Sequence, residues 1–385
     1  MKKILIIHNN YKIKGGEDTN ISEEVKLLEK EYTVDTLFFN NHERIDLFDF
    51  ISFIFGRNFK SDKQIINKIK KFEPDVVYIH NIWFKVGFGV FRIFKKENIK
   101  VLLKIHNFRF YCSKPLLIKN HIKEGNFCFA CSNVKSRFNI FNKYFENSYL
   151  KSFFSILFSK RYFKILTHHP LQIAVINNFY KNQLKSFGID PNKIFLFQNS
   201  LIKENYLEPN YNPESKFVVY AGRIEESKGL EELLNAWKNA ETQDLTLKII
   251  GEGSIKRNLV EKYKMKNLVF CGELSLEDTL YEISKSRAVI TATKMYEGQP
   301  RILTEASVYK IPSIYPSFGG MDELFPKDYP LKFTQFDQDS LVEKINLLQD
   351  VKLLEESSIL VEKHINTIIS EKKLLNEFNQ IIINE

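Results

Sequence analysis

The stretch KFVVYAGRIEESKGLEELLNAWKNA (216–240) decides the fold. KFVVYA is a short apolar run, the pattern of a strand buried on both faces of a parallel sheet. It stops at Gly222, which lets the backbone turn tightly. LEELLNAWKNA (230–240) then reads as a helix. Between the two, Arg223 and Lys228 project from a loop at the C-terminal end of a strand. Ligands of open α/β sheets bind at that edge, and two cations there suit a diphosphate. The competing reading is a surface loop with solvated charges.

The same cycle repeats downstream. LTLKIIG (245–251), NLVFCG (267–272), AVITAT (288–293) and IPSIYP (311–316) read as further strands. SIKRNLVEKYK (254–264), LEDTLYEISKS (276–286) and PRILTEASVYK (300–310) read as the helices between them. Upstream, KKILIIHNN (2–10), TVDTLFF (33–39), DVVYIHN (75–81) and VLLKIHN (101–107) are strands of an earlier set. Strands alternating with helices predict doubly wound parallel sheets. The linker NYNPES (210–215) separates two domains, expected at 1–205 and 206–385. Residues 108–165 interrupt the pattern and read as an insertion with helices. Leu and Ile at helical spacing over 338–382 suggest a closing segment that packs back on the first domain.

A second motif is YEGQPRILTEA (296–306). Pro300 suits the first turn of a helix, where its missing N–H costs nothing. Glu297 then lies in the loop before that helix and Glu305 within it. Loop amides and the helix start favour phosphate oxygens. The two carboxylates are left to accept hydrogen bonds from hydroxyls of a ribose and a sugar. Upstream, NNYKIKGGEDTN (9–20) is a glycine-rich turn in which Gly15 and Gly16 allow close backbone approach. Asp18 or Thr19 is expected to cap the helix that follows. A capped turn without a ligand is the alternative.

With these pieces in order, the chain resembles the family 4 glycosyltransferases of the GT-B fold, an α/β fold of two Rossmann-like doubly wound domains facing a cleft. GRIEESKGL, the Glu297–Glu305 pair and the GGED turn carry the resemblance. It implies that Glu297 faces the donor sugar, Glu305 holds the nucleotide ribose, and Arg223 and Lys228 bind the diphosphate. It also implies retention at the anomeric carbon, with no cofactor and no catalytic metal. The implied donor is a UDP- or GDP-linked sugar, a nucleotide-diphosphate sugar. The candidate nucleotide-sugar site is Gly15, Gly16, Glu17, Gly222, Arg223, Lys228, Glu297, Gly298, Gln299, Pro300, Arg301 and Glu305. Gln299 stands where the family often has Phe or Pro, which leaves the sugar open. Family members commonly place a sugar-contacting histidine at the end of a first-domain strand, here His106 in IHNFR (105–109). His106 joins Arg223, Lys228 and Glu297 as a catalytic candidate, with a buried structural histidine as the rival. His80 is an acceptor-side candidate.

HNFRFYC…CFAC resembles a subgroup acting on bacterial capsular and other surface polysaccharides. Cys112, Cys128 and Cys131 supply up to three ligands of a structural zinc, since a CxxC pair gives two of four tetrahedral positions. Reduced packed thiols are the alternative. Four cysteines in 385 residues do not suggest a disulfide scaffold.

Charge is unevenly distributed. Residues 1–200 carry 33 Lys and Arg against 17 Asp and Glu, whereas 201–385 carry 23 against 30. Residues 51–200 alone hold 26 against 7. Such a basic half faces a polyanion or an anionic membrane surface. Tract 136–165 interleaves aromatics with Lys and Arg, as an interfacial membrane helix does and as a core helix with solvated lysines also does. No nucleic-acid module accompanies the charge. The opening ILII is too short for a secretory signal and no apolar run spans a bilayer. A cytoplasmic protein, peripheral on the inner membrane face, is expected. Its acceptor would be a hydroxyl, with a polyprenyl-diphosphate-linked glycan as the implied case. The alternatives are a GT-B epimerase or phosphorylase, and a silent nucleotide-sugar-binding scaffold.

Overall fold

The computed structural model describes residues 1–10, 16–40, 52, 55–83, 85–107, 148–201, 210–242 and 244–383. It divides into two compact units. Among the described residues, one holds those up to Ser200 together with Glu371 onward, and the other holds Leu201–Ser370. The 205/206 boundary expected from the sequence lies outside the described residues, as do Gly15, Cys112, Cys128 and Cys131.

The first unit is built on a six-stranded sheet. Its strands are β1 (Lys3–Asn10), β2 (Thr33–Asn40), β3 (Val76–Ile79), β4 (Lys100–Ile105), β5 (Gln172–Val175) and β6 (Ile194–Leu196). They run in the order β2-β1-β3-β4-β5-β6, and every pair is parallel. Ile4, Leu5, Ile6 and Ile7 are fully buried, as a strand covered on both faces requires. The helix Phe59–Phe72 starts where the Asn58 side chain accepts from the amides of Lys60 and Ser61. It stops at Glu73, which is in the left-handed region at φ 52°. The helix Tyr149–His168 is capped by Ser148. The helix Glu371–Ile383 buries Leu374, Phe378 and Ile381 against Ile4, Tyr78 and Phe197.

The second unit is a six-stranded sheet of β7 (Phe217–Ala221), β8 (Thr246–Ile250), β9 (Leu268–Gly272), β10 (Ala288–Ile290), β11 (Ser313–Pro316) and β12 (Lys332–Phe333). The order is β12-β11-β10-β7-β8-β9, again parallel throughout. Helices Leu230–Asn239, Lys256–Lys262, Leu276–Ser284 and Arg301–Val308 connect the strands that the sequence predicts. Strands β5, β6 and β12 were not expected from the sequence; they have only four, three and two residues.

Each sheet reverses direction once. In the first, the chain steps from β1 outward to β2 and then returns to β3 on the other side of β1. In the second, it runs from β7 to β8 and β9 and then returns to β10. The loops after β1 and β3, and those after β7 and β10, therefore diverge at a topological switch point, where open α/β sheets hold ligands.

Two local expectations are corrected. The first long helix already begins at Gly16 and runs to Leu28, so Asp18 and Thr19 are inside it, not at its cap. Asp18 is buried and its Oδ1 lies 2.9 Å from Nε2 of His8, a tertiary contact that outweighs capping. Pro300 is the N-cap residue itself, extended at φ −60° and ψ 124°, and the helix starts with Arg301.

Candidate functional site

The second unit gathers most of the candidate residues at its switch point. The backbone N–H of Gly222, just past β7, donates to Ile250 O at 3.0 Å. Gly251, at φ 133°, sits so close that a Cβ there would meet Gly222 O at 2.1 Å. Gly229, at φ 67°, ends the loop, and a Cβ there would meet Ala292 O at 1.8 Å. These two glycines let the loops after β8 and β10 close on the Arg223–Lys228 segment, an approach that no side chain permits.

Lys228 forms an ion pair with Oε1 of Glu297 across this switch point. Thr293 Oγ1 donates to the same oxygen at 3.3 Å. The Lys294 amide donates to Ser227 O at 2.9 Å, tying the loop after β10 to the one after β7. The Gly320 amide holds Glu297 O at 3.0 Å. Arg223 is the exposed member; its guanidinium lies 3.0 Å from Glu225, with 62% of the side chain open to solvent. The Tyr220 hydroxyl donates to Arg223 O at 3.0 Å. Burial, and then the nearby Glu297 carboxylate, push this phenol above its ordinary range. Arg223, Lys228 and Glu297 thus share one neighbourhood around Tyr220.

Glu305, the fifth residue of its helix, is only 4% exposed. Nε and NH2 of Arg301, one turn earlier, both reach its Oε1 at 2.9 Å. Burial raises the Glu305 carboxyl and the Arg301 charge opposes that rise. Both arginine nitrogens use the same carboxylate oxygen. Gly298 and Gln299 are buried in the loop between the two glutamates.

The first unit has its own polar cluster at its switch point. Gly16 and Glu17 open the helix after β1, and Glu17 lines a cavity with His80, Asn81, Lys104 and His106. Nδ1 of His80 lies 3.0 Å from Nε2 of His106. Lys104 and Glu24, both fully buried, form an ion pair, and the Tyr78 hydroxyl donates to Glu24 at 2.9 Å. Burial pushes both His80 and His106 well below the usual histidine range, with Lys104 and His8 adding to the effect.

Sequence reasoning missed Thr293, Gly251, Tyr220 and the Glu24–Lys104 pair. Lys104 did carry a signal, because it interrupts the apolar run VLLKI in a strand buried on both faces. Among the described residues, no group of three or more His, Cys, Asp or Glu is placed to hold a metal.

Two doubly wound parallel sheets, each with a switch point, make this the fold of the GT-B glycosyltransferases. Residues 202–369, nearly the whole second unit, match the family described as glycosyl transferases group 1. The chain is 32% identical over 151 residues to the amylovoran biosynthesis glycosyltransferase AmsD of Erwinia amylovora. That stretch spans 39% of this chain and 41% of the relative. HepE of Anabaena, solved in complex with UDP and glucose, superposes with a TM-score of 0.68 at 11% identity, covering all of both chains. Sucrose-phosphate synthase from Thermosynechococcus elongatus gives a TM-score of 0.72 at 14% identity over 99% of this chain and 98% of that one.

Proposed function

We propose that this protein is a retaining, metal-independent glycosyltransferase of bacterial surface polysaccharide synthesis. It would transfer a hexosyl unit from a nucleotide-diphosphate sugar to a hydroxyl on a polyprenyl-diphosphate-linked glycan. The observation that carries this reading is the cluster of Arg223, Lys228 and Glu297 at the switch point of the unit that matches the group 1 family. The leaving diphosphate needs charge stabilisation in the transition state, and preorganised cations and loop amides supply it. Lys228 would turn from Glu297 to the phosphate oxygens. The freed Glu297 carboxylate would then accept hydroxyls of the transferred sugar, while Glu305 accepts from the ribose. Front-face attack needs no protein base, because the departing phosphate oxygen takes the acceptor proton. The Erwinia relative's role in amylovoran biosynthesis supports polysaccharide synthesis, and the UDP bound in the Anabaena protein supports a nucleotide-sugar donor.

Incubation with a panel of UDP- and GDP-sugars, with and without lipid-linked acceptor extracts, tests the reading. A matching donor is expected to raise the melting temperature, since a ligand bound only to the folded state stabilises it. No donor binding and no transfer would refute it. EDTA is expected to leave transfer intact; loss of activity restored by Mg²⁺ or Mn²⁺ would count against cationic side chains as the diphosphate partners.

The membrane side of the proposal rests on the helix Tyr149–His168. Tyr149, Leu150 and Phe153 are more than half exposed near its start, and Lys151, Lys160 and Lys164 are exposed along it. Arg161 is half-buried against Gly56 and lies outside this set. Among the described residues no helix is long and apolar enough to cross a membrane. Each basic residue at an anionic bilayer contributes about 1 kcal/mol at most, so binding should be additive and reversible. Salt-sensitive sedimentation with anionic vesicles is expected, reduced when the three lysines become Gln. Indifference to anionic vesicles at low salt would point to a soluble acceptor.

A further inference from the structure

Glu24, His80 and His106 follow one another in a chain of close contacts, and both histidines line the cavity of the first unit. The two oxygens of Glu24 have different partners. Oε1 meets the Lys104 ammonium. Oε2 accepts from the Tyr78 hydroxyl and lies 3.6 Å from Nε2 of His80. The opposite nitrogen of His80, Nδ1, lies 3.0 Å from Nε2 of His106. The ring centroids are 5.3 Å apart and the planes differ by 22°. That separation equals the nitrogen–nitrogen distance plus the two ring radii. The contact is therefore an edge-to-edge hydrogen bond, not a stack, and it holds a single proton.

Burial keeps both rings neutral near neutral pH, so each carries one N–H. Two arrangements satisfy the bond between them. In one, His80 is protonated at Nε2 and accepts at Nδ1 from the Nε2–H of His106. In the other, His80 donates from Nδ1 and turns a bare Nε2 lone pair toward the Glu24 oxygen. Burial raises the Glu24 carboxyl, and the Lys104 ammonium on Oε1 and the Tyr78 hydroxyl on Oε2 oppose that rise; the ion pair with Lys104 favours the anion. A lone pair facing an anion at this range is repelled, and the repulsion is strong where the dielectric is low. An N–H pointed at the same oxygen is attracted. The first arrangement wins, and it leaves His106 unprotonated at Nδ1.

We propose that Glu24 and His80 are positioning residues that hold His106 in its Nε2–H tautomer, so that its Nδ1 lone pair is offered to a hydroxyl group in the cavity lined by His106, Asn81, Trp83 and Tyr162. Tyr180, whose hydroxyl donates to His106 O at 3.4 Å, helps keep the ring's backbone in place. The glycosyltransferase reading bears only on which hydroxyl this is, a sugar's in that case. The Nδ1 lone pair selects a donor group and repels a bare acceptor such as a carboxylate or phosphate oxygen.

The tautomer is read directly in a proton–nitrogen long-range correlation spectrum of the whole protein, with its histidines labelled with heavy nitrogen. The signals of His106 are identified by their loss in His106→Gln. Expected are a protonated Nε2 and a bare Nδ1 on both His80 and His106. In His80→Leu the bare Nδ1 signal of His106 should give way to the averaged shifts of an imidazole free to exchange tautomers. A wild-type His106 protonated at Nδ1 would overturn the proposal, as would an unchanged His106 pattern in a folded His80→Leu protein. If that variant does not fold, the wild-type spectrum alone decides. No donor sugar or turnover enters this readout, so it stands apart from the glycosyltransferase reading. Once a donor is known, His80→Leu should lower kcat more than it changes the donor KM. Equal losses would indicate a structural role only.

Discussion

Replacing Arg223 or Lys228 by alanine is expected to lower the rate of sugar transfer by roughly 10²–10³-fold, the usual result of removing one preorganised group that faces developing charge. The two variants should differ in how they reach that result. Arg223 is exposed and its pair with Glu225 lies in water, where such pairs contribute about 0–1 kcal/mol. Arg223→Ala should therefore melt like the parent while losing activity. Lys228 is part-buried and holds Glu297, which keeps only the Thr293 hydroxyl when the ammonium is gone. Lys228→Ala should lose activity and also bind donor less well, because Glu297 no longer has its place set before the ligand arrives. Initial rates against donor concentration, with melting curves alongside, separate the two effects. Near-parental rates in both variants would remove Arg223 and Lys228 from the site.

The largest stability effect is expected at the Glu24–Lys104 pair. Both side chains are fully buried. Cutting either one leaves an uncompensated charge in a low-dielectric interior, a loss of about 3–5 kcal/mol. Glu24→Ala and Lys104→Met should each lower the unfolding free energy by that amount, read as a lower denaturant midpoint. Burial opposes the charged form of both partners, raising Glu24 and lowering Lys104. The pair is therefore not where the fold gains most. The double variant Glu24→Leu, Lys104→Met should recover much of the loss, because a well-packed apolar pair replaces a buried ionic one at little cost. It will not recover all of it, since the Tyr78 hydroxyl and His80 lose their neighbour. Single variants within about 1 kcal/mol of the parent would mean that water reaches the pair.

The second unit was the more legible in the sequence, for a physical reason. Its site is assembled from short segments around strand ends. Gly222, Arg223, Gly229 and the Glu297–Glu305 pair each sit in a local pattern of strand, turn and helix. The first unit's cluster is assembled at long range, with Glu24 and Lys104 80 residues apart in the chain. A lysine inside VLLKI shows that something must pair with it, but nothing local names the partner. Strands β5 and β6 are too short to show a period. Asp18 looked like a cap because Asp caps are common, and its buried contact with His8 is invisible to local reasoning. The helical spacing over 338–382 shows that one face is covered. It does not show that Glu371–Ile383 belongs to the first unit while the preceding helices Gln338–Asn346 and Val351–Ile368 belong to the second.

That last helix has a consequence for biosynthesis. Leu374 and Phe378 complete the packing of Ile4, Tyr78 and Phe197, and Lys2 and Lys100 both donate to Ile382 O. A ribosome makes all of Leu201–Ser370 before it makes Glu371–Ile383. At about 5–20 residues per second that interval is on the order of 10 s. Throughout it, the first sheet must wait with an apolar face uncovered, while the second unit has all its own residues and can fold. Although the first unit begins emerging first, it is the later of the two to finish. A nascent chain stalled before Glu371 should therefore present a protease-resistant second unit and a first unit that binds holdase chaperones.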